Sequence, residues 1–306
     1  MPESLPTHVL DLPSVHSRPP AEELLKILRL LEVKDCGFGL ASDEGDEDDE
    51  QEEIISNSPQ LMQWLTMIVG CGLDWIKDPD AQDEIISMAS MRIAERCGRN
   101  AQPSKVREIV LEKSMEPIKI HEPSLVSDNL GLKTWGSAYV ISRRLLRQPD
   151  MLKGRVLELG SGTGLFGITA AKLGSKIVLT DLEDIVPNLE RNIEENNCED
   201  NASVATLDWM HPEDFGEQKF DTVVVADPIY SSEHPKMVFN VIETFLTKTG
   251  RLIVQLPLRA NFEDLRQEFY SLLDNAHYHR IQFDVEEGRD EFGTIKFEFS
   301  MYTASH

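Results

Sequence analysis

The stretch VLELGSGTGLFGI, Val156 to Ile168, constrains this chain more than any other: an apolar strand runs straight into glycines at Gly160, Gly162 and Gly164. Alternate glycines at a strand end let the backbone turn sharply and approach a ligand with no Cβ in the way. The next residues, GLFGITAAKLG, predict a helix whose N-terminal amides face that ligand. The spacing is ExGxGxG, with Glu158 ahead of the glycines and Leu165 where the dinucleotide fingerprint GxGxxG needs its third glycine. That departure favours a nucleoside cofactor other than a nicotinamide dinucleotide. A dehydrogenase would want the intact fingerprint and a hydride-handling partner.

The surrounding pattern supplies the sheet that such a turn needs. Strands and helices alternate: RVLELG, the helix after Gly164, KIVLTD, a helix from 184 to 196, SVATLDW, FDTVVVAD, a helix from 235 to 246, RLIVQLPL, and a helix from 261 to 275. Alternation of this kind predicts parallel strands joined by right-handed crossovers. The last two strands, HRIQFDVEE and GTIKFEFSMYT, have only a short turn with Gly288 and Gly293 between them and should pair antiparallel at one edge. Upstream, AEELLKILRLLE, SPQLMQWLTMIVGCGLDWI and DPDAQDEIISMASMRIAERCG have helical periodicity, with Ser58-Pro59 and Asp78-Pro79 fitting a cap followed by proline. Residues 1–114 are therefore expected to be a helical extension and 115–306 the α/β domain. An extended segment and a helix beginning near Ser137 lead into the first strand.

Charge narrows the partners. The formal net charge is −24, which argues against a surface that tracks phosphates, since that affinity comes from Lys and Arg. Nine carboxylates sit in DEGDEDDEQEE at 43 to 53, leaving −15 elsewhere, so the acidity is general. The run, an acidic loop near 42–53, reads as a solvated loop or as a docking tail for a basic protein. No apolar run approaches the roughly 20 residues of a membrane span, and the first residues lack a secretion-signal layout. The expectation is a soluble cytoplasmic protein, a monomer, with no membrane or nucleic-acid partner. Four scattered cysteines suggest neither zinc nor disulfides. His277 and His279 lack a third ligand, so no metal is expected.

Open parallel sheets bind ligands at the C-terminal ends of their strands. Asp181 ends the second strand, about 20 residues after the glycine turn, where a carboxylate can accept both ribose hydroxyls. Asp208 and Trp209 end the third, suiting an adenine amino group and ring. Asp227 ends the fourth, in ADPIYSS. A lone strand-end aspartate is as readily a helix cap; the weight lies in several in register with one glycine turn.

Taken together, ExGxGxG, the acid after the second strand, DW after the third and DPIY after the fourth resemble the seven-stranded S-adenosylmethionine-dependent methyltransferases. Within them they resemble the protein-lysine methyltransferases whose fourth-strand motif is DxxY, here Asp227, Pro228, Ile229 and Tyr230. The lead-in LKTWGSAYVISRRL, with Trp135, is similar to that branch too. TWGSAY behind a long helical extension looks most like the fungal enzymes that act on translation elongation factors. The resemblance implies a Rossmann-like α/β fold, a mostly parallel seven-stranded sheet with one antiparallel edge strand. It implies that Gly160, Ser161 and Gly162 wrap the methionine portion, with Glu158 holding the turn and reaching the amino group. Asp181 would take the ribose, Asp208 and Trp209 the adenine, while Trp135 closes the pocket and Ala226 lies under the sulfonium. Asp227 and Tyr230 would form an acidic rim where the acceptor lysine enters. A small-molecule methyltransferase and a silent adaptor with the same fold remain open at this point.

Overall fold

A computed structural model describes residues 12–32, 39–40, 59–96, 104–124, 130–290 and 293–304. The acidic run at 43 to 53, Ser58, Cys36 and Cys97 lie outside these residues. The chain divides into two units.

The first unit is helical. Helices α1 (Ala21–Leu30), α2 (Pro59–Gly70) and α3 (Pro79–Arg96) bury Leu24, Leu28, Leu61, Leu65, Ile68, Ile85 and Ala89 against one another. Each such buried leucine or isoleucine contributes about 1.5–3 kcal/mol. Helix α2 stops at Gly70, short of the predicted Ile76, because the chain turns through left-handed Gly72 and Leu73. Trp64 and Trp75 donate their indole N–H groups to the Pro13 and Pro19 carbonyls, which pins the N-terminal segment to the bundle.

The second unit includes a hairpin, β2 (Lys105–Ile109) and β3 (Ile118–Glu122), whose first strand precedes residue 115. The short KVREI run at β2 lacked turn signals strong enough to separate it from the helices before it. After helix α4 (Gly136–Arg147) come β4 (Val156–Leu159), α5 (Leu165–Lys172), β5 (Ile177–Asp181), α6 (Val186–Glu195) and β6 (Ala202–Thr206). Then follow β7 (Phe220–Ala226), α7 (His234–Phe245), β8 (Leu246–Pro257), α8 (Glu263–Asn275), β9 (His279–Asp290) and β10 (Gly293–Thr303). A two-residue strand, β1 (Gly39–Leu40), pairs with the end of β9.

The sheet order is β1-β9-β10-β8-β7-β4-β5-β6. The pairs β4–β5, β4–β7, β5–β6 and β7–β8 are parallel. Strands β9 and β10 pair antiparallel at the edge as expected, with β10 lying between β8 and β9 and antiparallel to both. Gly288 lies within β9 and Gly293 begins β10, so the pairing continues where a turn was expected.

All four residues of β4 are buried, since helices cover both faces. Alternation along the strands sorts side chains into two cores: Val156, Val224 and Ile253 face α4, α5 and α6, while Leu157, Val225 and Val254 face α7 and α8. Crossing from β4 toward β5 on one side and toward β7 on the other reverses the winding. The crevice this opens lies above the carboxyl ends of β4, β5 and β7.

Candidate active site

The glycine turn is built for close approach. Gly160, Gly162 and Gly164 all have positive φ, at 65°, 57° and 86°, a region costly to residues with a Cβ. Each is also crowded. A Cβ on Gly160 would sit 3.0 Å from the Trp209 ring, and one on Gly162 would sit 3.1 Å from the Gly131 carbonyl oxygen. Leu165, the residue that breaks the dinucleotide fingerprint, is fully buried as the first residue of α5. Close helix-to-strand packing falls instead to Gly167, where a Cβ would lie 2.2 Å from Leu179.

Asp181 stands at the end of β5, and its Oδ2 accepts the Gly162 amide at 2.8 Å while Oδ1 accepts the Leu182 amide at 2.8 Å. Burial raises its pKa and those two amides partly offset the rise. Each oxygen keeps a second lone pair, enough for a pair of ribose hydroxyls. Trp209 packs on Gly160, forming a flat apolar wall beside the turn. Asp208 accepts the Met210 amide at 2.8 Å, which fixes the turn that presents the indole.

Two residues of the motif face inward instead of lining the cradle. Ser161 stitches the turn to β5: its amide donates to the Thr180 carbonyl, and its hydroxyl accepts the Thr180 amide at 3.1 Å. Its backbone, and not its side chain, is what the cradle offers. Glu158 points under α5, where the missing side chain of Gly167 leaves room 2.7 Å from Oε2. Burial pushes its carboxyl up to about 8, relieved in part by Ser161, raised further by Asp181 and relieved by the Gly167 amide. At neutral pH it is a protonated group that holds the turn from below.

The rim differs from expectation. Asp227 adopts φ 59°, and its carboxylate faces the segment that follows β8. There Arg259 clasps both oxygens at 2.9 Å in a bidentate pair. The expected acidic rim is thus a neutralised one at this position. The Arg259 guanidinium also lies 5.5 Å from the Trp135 ring, so a cation–π contact links the motif after β7 to the segment before α4. Trp135 caps that helix and donates Nε1–H to the Leu130 carbonyl at 3.1 Å. Ala226 ends β7, paired with Gln255 of β8.

Tyr230 is 46% exposed beyond Ala226. Its hydroxyl pKa is raised by partial burial and by the negative fields of Asp181 and Asp227, so it stays a proton donor. His234 sits between two site aromatics. Its ring meets Tyr230 edge-on at 4.2 Å and Trp209 at 5.6 Å. Its Nδ1 donates to the Pro228 carbonyl at 2.9 Å, and desolvation lowers its pKa, so the ring is neutral at pH 7. Neither Arg259 nor His234 shares a motif with the residues it touches, so the sequence by itself does not single them out.

These residues fit a nucleoside bearing a methionine chain: a glycine cradle that side chains would fill, a ribose-facing carboxylate and an indole wall. Comparison with known proteins agrees. The lysine methyltransferase family profile matches residues 113–276. The chain is 37% identical over 254 residues to the Saccharomyces cerevisiae protein-lysine N-methyltransferase EFM2, covering 74% of this chain and 60% of that protein. It is 32% identical to the Schizosaccharomyces pombe protein-lysine N-methyltransferase rrg1, across 93% of both chains. A more distant relative, 25% identical over 47% of this chain and 68% of its own length, is the EEF1A lysine methyltransferase 3 of Xenopus tropicalis. The chain belongs to the lysine methyltransferase family, enzymes whose methyl donor is S-adenosylmethionine.

Proposed function

We propose that this protein methylates the ε-amine of a lysine on a translation elongation factor, acting in the cytoplasm as a monomer. The observation that carries the reading is the rim: an exposed tyrosine, braced by a neutral histidine, stands just past Ala226 at the mouth of the donor cradle. That the Xenopus tropicalis relative is an EEF1A lysine methyltransferase supports an elongation factor as target. The net charge of −24 favours a basic protein surface over nucleic acid.

S-adenosylmethionine supplies a methyl group already activated on a sulfonium. The protein must align an attacking nitrogen with it and strip that nitrogen of its proton. A free lysine, with pKa about 10.4, is almost wholly protonated at neutral pH. The paired state of Asp227 leaves this rim position without net charge to stabilise the ammonium form, so desolvation against Tyr230 and Trp135 favours the neutral amine. The Tyr230 ring and hydroxyl orient it.

Incubating the purified protein with labelled S-adenosylmethionine and extract from cells lacking the enzyme tests the reading. Mass spectrometry should place the label on a lysine of an elongation factor. Label on another protein overturns the elongation-factor assignment, and label only on small molecules overturns the protein target altogether.

A further inference from the structure

The segment from Leu130 to Trp135 forms an arm across the cradle. Its Gly131 carbonyl oxygen lies 3.1 Å from where a Gly162 Cβ would stand, and a Cβ on Gly131 would come within 3.7 Å of Asp181 Oδ1. The arm therefore covers both the glycine turn and the ribose-facing acid. Something must keep it there, because apolar contact alone tolerates sliding whereas a hydrogen bond fixes distance and direction.

A side-chain contact joins arm to turn directly: Thr134 Oγ1 and Thr163 Oγ1 lie 2.8 Å apart, both residues buried. Each partner is gripped from behind. The Thr163 carbonyl accepts Asn192 Nδ2 at 2.9 Å, fixing the turn to α6. The Thr134 amide donates to Glu122 Oε1 at 2.9 Å, fixing the arm to β3. Glu122 is fully buried and is itself held by Arg107 at 3.3 Å and Lys133 at 3.5 Å. Two rigid anchors thus meet through one pair of hydroxyls.

We propose that the Thr134–Thr163 hydroxyl pair is a latch that sets the arm over the cradle, and that affinity for the methyl donor depends on it. Both are positioning residues, acting through Gly131, Gly162 and Asp181. The inference rests on the donor and is independent of which protein accepts the methyl group.

Titrating the full-length protein with S-adenosylhomocysteine in a calorimeter, and melting it unliganded, tests the latch. Thr134→Val keeps the volume and removes the hydroxyl; the dissociation constant should rise about tenfold, as loss of one buried hydrogen bond allows, while the unliganded melting temperature falls by only a few degrees. Thr134→Ser keeps the hydroxyl and leaves a gap, and should restore affinity. Thr163→Val should match Thr134→Val, and the double variant should be no worse than either, because one shared bond is lost once. Thr163→Val also carries the test should Thr134→Val fail to fold. Wild-type affinity in Thr134→Val overturns the latch. So does a Thr134→Ser variant as weak as Thr134→Val, which would make the site a packing contact, and so do additive losses.

Discussion

At the scale of single residues, burial decides which motif side chains do chemistry and which hold shape. Tyr230 is exposed, keeps its proton and faces the rim, so Tyr230→Phe should slow methyl transfer about tenfold while S-adenosylhomocysteine binding stays unchanged; equal transfer rates would remove the hydroxyl from the mechanism. Glu158 is the opposite case, fully buried and held near 8 against an ordinary 4.5. The folded carboxyl keeps its proton while the unfolded one ionises, so its contribution is intact below pH 4.5 and drains away as pH rises toward 8. Each pH unit between those values costs about 1.4 kcal/mol, or about 3 kcal/mol at pH 7. Glu158→Gln should therefore raise the melting temperature of the unliganded protein at pH 8, with the gain vanishing near pH 4.5. A melting series over that range that shows no trend would place the carboxyl in a more solvated setting.

Among the elements, α6 takes on a task that helices seldom have. Asn188, Asn192 and Asn196 recur every four residues and so share one face. They bond the backbone of β3: Asn192 Oδ1 accepts the His121 amide at 2.8 Å, Asn196 Oδ1 accepts the Lys119 amide at 3.1 Å, and their Nδ2 groups return bonds to the His121 and Lys119 carbonyls. A strand edge is thereby satisfied by side-chain amides, which act as a neighbouring strand would. Asn192→Ala should leave the His121 amide and the Thr163 carbonyl unpaired, costing about 3 kcal/mol in chemical denaturation. Preserved stability would show that water replaces the amide. At the far edge, Arg144 on α4 pairs with Asp284 and Glu286 of β9 at 2.8 and 2.9 Å, fastening that strand to the sheet.

For the whole molecule, a charge of −24 would draw in the basic surface of the acceptor proposed above. Attraction between exposed charges falls once the screening length drops below about 10 Å. Raising salt from about 50 to 300 mM should increase the KM for the protein acceptor several-fold while leaving S-adenosylhomocysteine affinity nearly constant. Equal salt dependence of both would deny the field a steering role. Donor binding should also stabilise the fold, by about 2.7 kcal/mol when the ligand is at a hundred times its dissociation constant.

The order of strands and helices in the α/β unit, the glycine turn, and the carboxylates at the strand ends were legible in the chain, because periodicity of 2 or 3.6 and glycine's tolerance of positive φ are local properties. The resemblance carried by DPIY named the branch. What the chain could not show is the partner each side chain finds. Asp227 read as an acid for the incoming amine, yet Arg259, 32 residues later, neutralises it. Ser161 read as a wrap around the ligand, yet its hydroxyl turns inward to the Thr180 amide, and Glu158, read as holding the turn, lies buried beneath it. The β2 strand, the asparagine ladder of α6 and the threonine latch join residues from 9 to 77 positions apart. Local sequence sets backbone conformation through φ, ψ and burial periodicity; charge pairing and hydrogen bonding across the site depend on distances that exist only once the sheet has brought its strand ends together.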